Sequence, residues 1–277
     1  MLRDIAERVA AEAAAFVKRR RSELVGEGPY PIGASAVAAK STRTDPVTVV
    51  DTETEQLIRD LLARLRPSDS ILGEEGGGPT GLDDGVSWVV DPIDGTVNFV
   101  YGIPAYAVSI GAQINGTPVA GAVADVVSGE LYSASVGSGA HLIYAGERRE
   151  LRCSDVDELS MALLGTGFGY APRRRTEQSQ LMAQMMPLVR DVRRIGSAAL
   201  DLCLVASGRL DAHYEHGLHV WDWAAGAVIA AEAGAIVRLP PAGGSSDEAH
   251  LTLVSAPGIA GELIETLDRF GGLRPMV

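Results

Sequence analysis

The stretch from Asp91 to Thr96, which reads Asp-Pro-Ile-Asp-Gly-Thr, constrains the fold more than any other part of the sequence. Residues 87–90 just before it are mostly apolar and favour a buried strand. Pro92 disfavours helical geometry at the preceding residue, so we expect the strand to end at Asp91. Gly95 permits a tight turn, and Thr96 can begin a helix. The sequence therefore predicts a strand–turn–helix corner that carries two carboxylates beside backbone N–H groups.

Two interpretations of this corner are open. Mg²⁺ prefers oxygen ligands and commonly takes one or two carboxylates together with a substrate phosphate and water, and a helix N-terminus offers N–H donors to the phosphate. Alternatively, both aspartates serve only the backbone, because Asp, Pro and Gly all favour turns and caps. The other carboxylates of the chain bear on this choice.

Composition is that of an ordinary globular protein of one large or two modest domains, with 277 residues, 46% of them hydrophobic and 22% charged. The net charge of −12 disfavours nucleic acid or an anionic membrane as a partner. Cys153 and Cys203 form no Cys-x-x-Cys pair, which favours buried thiols in a reducing cytoplasm over disulfides. We expect a cytoplasmic location with no signal peptide, and no membrane span, because no apolar run reaches about 18 residues.

Periodicity and turn signals predict a mixture of helices and strands. The predicted helices span residues 4–22, 52–66, 177–190, 197–207, 224–233 and 258–270. The predicted strands span residues 47–50, 71–72, 87–90, 105–113, 118–125, 130–134, 140–143, 211–217 and 251–255. Glycine-containing turns make 105–143 an antiparallel series. Loops are predicted at 25–46, 73–85 and 240–249, a capping box at 52–55, and a solvated loop at Arg173, Arg174 and Arg175.

Two further patterns carry less weight. Residues 165–169 read Gly-Thr-Gly-Phe-Gly and resemble part of a dinucleotide-binding loop, but the third glycine is wrongly spaced and no ribose-binding acid follows. His213, His216 and His219 recur every three residues. At strand spacing the first two side chains point to opposite faces, so we do not expect a histidine metal site.

Five carboxylates share one kind of position, where a strand or loop meets a helix or turn: Asp51, Glu74, Asp91, Asp94 and Asp222. Each has a simple explanation on its own, since Asp51 and Asp222 suit helix caps and Glu74 suits a solvated acidic loop. A chain that gathers carboxylates at one cavity would also place them at such junctions. Spacing alone leaves both explanations open.

Three motifs together resemble the signatures of the inositol monophosphatase family, and among its members the bacterial ones most. The motifs are Gly73-Glu74-Glu75, the corner at 91–96 followed by Asn98-Phe99, and Trp221-Asp222 followed by Ala225-Gly226. Their order and spacing match from Lys40 to Gly234. The family consists of Mg²⁺-dependent, lithium-sensitive sugar-phosphate phosphatases. The resemblance implies an α+β fold, a layered α-β-α-β-α sandwich, usually as a homodimer. It also implies an N-terminal half, 1–150, with most metal ligands and a C-terminal half, 151–277, with Asp222 and substrate contacts.

The resemblance assigns a role to each site residue. The implied metal ligands are Glu74, Asp91, the Ile93 carbonyl, Asp94 and Asp222. The first Mg²⁺ would be held by Glu74, Asp91 and Ile93, the second by Asp91, Asp94 and Asp222, and a third, weaker ion by Glu74 and water. Glu75 would support the metals. The implied catalytic residues, which orient the attacking water, are Glu74, Thr96 and Asp51. The implied substrate contacts are Asp94, Gly95, Thr96, Ala198, Glu215 and Asp222, with Gly95 and Thr96 binding the phosphate.

These expectations describe direct attack of water on myo-inositol 1-phosphate or a similar sugar phosphate, because the motifs supply no covalent nucleophile. Fructose 1,6-bisphosphate, histidinol phosphate and a 3′-phosphonucleotide are alternative substrates of the same chemistry. Glu215 favours a polyol, since a carboxylate accepts hydrogen bonds from hydroxyl groups. A non-catalytic binding protein that keeps the fold is the alternative of a different class, and the complete set of expected ligands argues against it.

Overall fold

Two large β-sheets alternate with layers of helices. A computed structural model describes residues 1–26, 28–33, 37–40, 46–79, 85–241 and 248–277, so parts of the loops predicted at 25–46, 73–85 and 240–249 lie outside the described residues. The helices are α1 (Leu2–Val25), α2 (Val49–Leu65), α3 (Thr96–Tyr101), α4 (Pro172–Met185), α5 (Ala198–Ala206), α6 (Val220–Glu232) and α7 (Pro257–Arg269). The strands are β1 (Val37–Ala39), β2 (Pro46–Thr48), β3 (Ser70–Gly73), β4 (Val86–Asp94), β5 (Ala107–Ile114), β6 (Thr117–Asp125), β7 (Leu131–Ser135), β8 (Ala140–Tyr144), β9 (Glu147–Glu150), β10 (Leu163–Thr166), β11 (Asp191–Arg193), β12 (Ala212–His216), β13 (Ile236–Arg238) and β14 (Leu251–Ser255).

The larger sheet has seven strands in the order β3-β4-β5-β6-β7-β8-β9. Strand β3 is parallel to β4, and every other neighbouring pair is antiparallel. The hairpin series predicted over 105–143 is therefore confirmed. Strand β9 was not predicted, because all four of its residues are exposed and it has no apolar alternation to recognise.

Helices cover both faces of this sheet. On one face, α1 and α2 bury aliphatic side chains such as Val9 and Ile58 against the strands. On the other face, α6 packs closely over β5 and β6, because Gly111 and Gly121 lie beneath it. A Cβ atom at Gly121 would come within 2.7 Å of the Cα atom of Ala225, so a larger residue would push the helix away from the sheet.

The smaller sheet has five strands in the order β11-β10-β12-β14-β13. Helices α5 and α6 lie between the two sheets, and α4 and α7 cover the outer face of the smaller one. The layers therefore follow the order α-β-α-β-α, as the family resemblance implied. The division of the chain into halves at residue 150 stays a prediction.

The predicted bounds of α2 and α4 were wrong. Helix α2 begins at Val49 rather than at 52, because Thr48 and Asp51 form the capping box one turn earlier than the one predicted at 52–55. Residues 47–50 are therefore half strand and half helix. Helix α4 begins at Pro172, a residue favoured in the first turn. It therefore contains the three arginines expected in a loop, and it ends at Met185 rather than at 190.

Among the described residues, no helix combines the length and apolar character that a membrane crossing requires.

Candidate active site

The corner predicted at 91–96 contains a β-bulge. Strand β4 continues to Asp94, and its pairing with β5 is irregular between Asp91 and Asp94. The expected end of the strand at Asp91 was wrong because Pro92 lies within the bulge, where the missing N–H disrupts no regular ladder. Asp91 Oδ1 accepts a hydrogen bond from the Ile93 N–H at 3.0 Å. The bulge thus places both aspartates at the end of one strand, close to the start of α3.

Asp91, Asp94 and Asp222 converge, with one carboxylate oxygen from each lying within 4.8 Å of the others. Asp222 reaches this point from the first turn of α6, where its Oδ2 also accepts the His219 N–H at 2.6 Å. Asp222 is therefore both a cap and a member of the cluster, so the two explanations that the sequence left open are compatible.

Asp94 connects the corner to α5. Its Oδ2 accepts hydrogen bonds from Ser197 Oγ at 2.5 Å and from the Ala199 N–H at 2.7 Å. Ser197 is also the N-cap of α5, because its hydroxyl accepts from the Leu200 N–H. The carboxylate is thereby fixed from two sides, which suits a metal ligand. The sequence analysis did not identify Ser197 as a site residue, because its sequence context indicates only an ordinary N-cap.

The electrostatics of the cluster favour a cation. Burial raises the pKa of Asp91 well above its usual range, and the charges of Glu74, Asp94 and Asp222 raise it further. Burial also raises the pKa of Asp222, and the charges of Asp94, Glu74 and Glu215 raise it further. Burial raises the pKa of Asp94 to about 6, although its hydrogen bonds with Ser197 and Ala199 oppose the shift. A divalent cation with a preference for oxygen ligands would relieve this repulsion, so the residues present fit such an ion.

Glu74 and Glu75 form a turn beside the cluster rather than a solvated loop. The Glu74 N–H donates to the Val90 carbonyl at 3.2 Å, which connects the turn to β4. Lys40 Nζ lies 2.7 Å from Glu74 Oε1 and 2.5 Å from Glu75 Oε1. Burial raises the pKa of Glu75 to about 7, and Lys40 opposes the shift. Lys40 thus supplies a positive charge at the edge of the acidic cluster.

Asp51 lies behind the cavity and is fully buried. Its Oδ2 accepts from the Thr48 N–H at 2.9 Å and from Thr48 Oγ1 at 2.5 Å, and its Oδ1 lies 3.1 Å from Thr96 Oγ1. Thr96 Oγ1 is also 3.0 Å from the Ile93 carbonyl oxygen. A hydroxyl has one proton, so Thr96 donates to Asp51 or to Ile93 at any moment while its own oxygen can still accept.

One cavity of about 610 Å³ contains the cluster. It is lined by all the residues implied for metal or substrate contact: Glu74, Asp91, Ile93, Asp94, Gly95, Thr96, Ala198, Glu215 and Asp222. Asp51, implied only as a catalytic residue, stands behind Thr96 instead. Arg174 and Arg194 also line the cavity. Sequence reasoning missed them because isolated arginines are usually solvated, and only the folded arrangement brings both to the cavity.

The two-sheet sandwich with an acidic cavity at a strand–helix corner defines a layered α/β protein whose cavity suits a divalent cation. The model of the inositol monophosphatase family matches residues 2–269, and the chain belongs to this family.

Similar proteins cover nearly the whole chain. An inositol-1-monophosphatase of Mycobacterium bovis is 64% identical over 99% of this chain and 96% of its own length. The structure of Mycobacterium tuberculosis SuhB superposes with a TM-score of 0.83 at 60% identity, covering 99% of this chain and 98% of that one. A protein of Escherichia coli named Nus factor SuhB is 39% identical over 79% of this chain and 80% of its own length.

Proposed function

We propose that this phosphatase hydrolyses myo-inositol 1-phosphate or a related sugar phosphate, with Mg²⁺ as its cofactor. The observation that carries the proposal is the convergence of Asp91, Asp94 and Asp222 in the same cavity as Glu74 and Thr96. The name of the relative from M. bovis supports the substrate. An acidic protein needs a local positive charge to bind a phosphate, and a divalent ion at this cluster supplies one.

The proposed metal ligands are carboxylate or carbonyl groups of residues that line the cavity. Glu74, Asp91 and the Ile93 carbonyl hold the first ion, and Asp91, Asp94 and Asp222 hold the second. A third, weaker ion depends on Glu74 and water, with Glu75 in a supporting role. Bound Mg²⁺ neutralises charge on the phosphoryl oxygens and lowers the pKa of an attacking water.

Thr96 and Asp51 orient that water. When the Thr96 hydroxyl donates to Asp51 Oδ1, 3.1 Å away, its oxygen keeps a lone pair that accepts from water. Glu74, which lines the same cavity, is the third residue of this group. The backbone N–H groups of Gly95 and Thr96 bind the phosphate at the start of α3. The chemistry is therefore positioning and charge stabilisation, as is general for phosphoryl transfer.

The substrate alcohol contacts Asp94, Ala198, Glu215 and Asp222 in this proposal. A specific observation favours a second candidate, a sugar that carries two phosphates, such as fructose 1,6-bisphosphate. Arg174 lines the cavity and its buried Nε has no hydrogen-bond partner among the described residues. Arg194 lines the same cavity, and arginines there suit an additional anionic group. Homodimer formation, lithium sensitivity and a cytoplasmic location stay predictions.

The test measures phosphate release from myo-inositol 1-phosphate and from fructose 1,6-bisphosphate, with and without Mg²⁺. It compares wild type with Asp94→Asn and Asp222→Asn. We expect wild-type turnover only with Mg²⁺, with a higher kcat/KM for myo-inositol 1-phosphate, and a loss of at least about 1,000-fold in each variant. Asp155→Asn is the control, since Asp155 is exposed and does not line the cavity. Metal-independent hydrolysis, or variants as active as this control, would contradict the proposal.

A further inference from the structure

Three titratable side chains form a row that leads from the interior to the cavity. His213 Nδ1 lies 3.7 Å from Asp201 Oδ2, and His213 Nε2 lies 3.6 Å from Glu215 Oε2. The His213 side chain is fully buried, whereas the Asp201 and Glu215 side chains are 2% and 13% exposed. Glu215 therefore presents the accessible end of the row to the cavity, and Asp201 forms its buried end.

Three buried polar atoms of this row have no hydrogen-bond partner among the described residues. Within the described part of the chain, neither ring nitrogen of His213 has one, and nor does Asp201 Oδ1. Buried polar atoms are nearly always paired in folded proteins. The two separations are slightly too long for hydrogen bonds, but contacts in an unliganded site commonly tighten when the substrate binds. The geometry thus provides each His213 nitrogen with one carboxylate and nothing else.

Two glycines make room for the row. Gly165 pairs with His213 across β10 and β12, and a Cβ atom there would lie 3.1 Å from His213 Nδ1 and 3.2 Å from Asp201 Oδ1. A Cβ atom at Gly167 would overlap the Glu215 carboxylate. The Gly-Thr-Gly segment that resembled part of a dinucleotide loop therefore has a different explanation, because its glycines leave space for these three side chains.

Burial favours the neutral form of all three side chains in the row. Burial raises the pKa of Asp201, and the charges of Glu215 and Asp94 add to the effect. Burial raises the pKa of Glu215 to about 8, and the charge of Arg194 is the chief opposing effect. Burial lowers the pKa of His213 to about 3. The imidazole is thus neutral, with one N–H donor and one acceptor nitrogen. Glu215 keeps a carbonyl oxygen that accepts a hydrogen bond whether its carboxyl group is protonated or ionised.

We propose that Asp201, as a neutral acid, donates its O–H to His213 Nδ1, and that His213 donates Nε2–H to Glu215, which then faces the substrate as a fixed acceptor. His213 and Asp201 are positioning residues in this arrangement. The row would favour substrates with a hydroxyl opposite Glu215, because a substrate without one leaves the acceptor unpaired. This consequence for specificity rests on the proposed function, whereas the hydrogen-bond order does not.

The first experiment determines the His213 tautomer by ¹⁵N NMR in Mg²⁺-containing buffer, with the signals assigned by their absence from His213→Phe. The chain has only five histidines, so the assignment is direct. We expect the Nε2–H tautomer. A neutral Nδ1–H tautomer would reverse the order of donors, and an imidazolium would place a charge on His213, and either result overturns the proposal.

The second experiment compares two substrates, myo-inositol 1-phosphate and 4-nitrophenyl phosphate, which has no polyol. We expect His213→Phe and Asp201→Leu to raise KM for the inositol ester about tenfold with a smaller change in kcat, and to affect the nitrophenyl ester less. His213→Gln and Asp201→Asn should recover much of this selectivity, because an amide N–H replaces each donor.

Equal losses on both substrates, accompanied by a lower melting temperature and no recovery in the amide variants, would show a merely structural role and overturn the proposal. If the wild type hydrolyses the nitrophenyl ester but not the inositol ester, the proposed substrate fails instead. The tautomer then decides the hydrogen-bond order by itself, so the two failures are distinguishable.

Discussion

Glu55 holds the turn that carries Glu74, although it lies on α2 outside the cavity. Its side chain is 3% exposed, and its carboxylate accepts from the Glu75 N–H at 2.7 Å and from the Gly76 N–H at 2.8 Å. Arg59 Nε donates to the same carboxylate at 2.8 Å. A Cβ atom at Gly76 would come within 2.7 Å of Glu55 Oε1, so the turn fits closely around this group.

Replacement of Glu55 by alanine removes the acceptor of all three contacts. Hydrogen bonds to a charged group contribute about 1.5–3 kcal/mol each. Breaking a buried ion pair by removing one partner costs about 3–5 kcal/mol, and Arg59 can turn to water. We therefore expect Glu55→Ala to lower the free energy of unfolding by about 4 kcal/mol and the melting temperature by about 10 °C. Because the Glu74 turn is then free to move, the Mg²⁺ concentration for half-maximal activity should rise about 10- to 100-fold.

The assay combines thermal unfolding in chelator with phosphate release over a range of Mg²⁺ concentrations. Glu53→Ala is the matched control on the same helix, because Glu53 forms a part-exposed ion pair with Arg20 at 2.7 Å, and such pairs contribute less than about 1 kcal/mol. Glu55→Gln keeps one acceptor oxygen and should fall between the two. If Glu55→Ala has the same melting temperature as Glu53→Ala and reaches half-maximal activity at the same Mg²⁺ concentration, the reasoning about the turn is wrong.

Two further predictions concern the site itself. In chelator, ionisation of Asp94 should lower the free energy of unfolding by roughly 3 kcal/mol as the pH rises from about 4 to 6. The pKa of Asp94 is about 6 in the folded state and 3.8 ordinarily, so the native state binds more protons than the unfolded state in this window. The free energy of unfolding, measured over this pH range, should therefore fall more steeply for wild type than for Asp94→Asn. Identical slopes for the two proteins would contradict this prediction. Thr96→Val keeps the side-chain shape but removes the hydroxyl, so kcat should fall about 100-fold with little change in the Mg²⁺ requirement, and steady-state rates within threefold of wild type would refute the role of the hydroxyl.

Features that depend on residues close together in the chain were predictable from the sequence. Turns such as Asn115-Gly116 identified the hairpins of the larger sheet, and the corner at 91–96 identified two of the converging carboxylates. The bulge at Pro92 was not predictable, because it depends on pairing between β4 and β5. The row from Asp201 to Glu215 has no local signal either, since it arises only when α5 packs against β12 beside the glycines of β10.

The start of α2 shows a different limit. Two overlapping cap patterns, Thr48 with Asp51 and Thr52 with Glu55, are equally acceptable as sequence. Glu55 is unavailable as a capping partner because it binds the backbone of the Glu74 turn. The choice between the two patterns was therefore made by a contact some twenty residues away along the chain, which no local rule contains.

Asp51, Asp94 and Asp222 each accept a backbone N–H at or beside the first turn of a helix. The acidic groups are thus held by the N-terminal ends of helices rather than by loops, so the positions of the helix starts determine the distances between the carboxylates. The side-chain oxygen of asparagine can also accept such an N–H. Replacement by asparagine at these positions would therefore remove the negative charges while keeping the backbone contacts and the fold. Metal ligation and folding are thus separable in this protein.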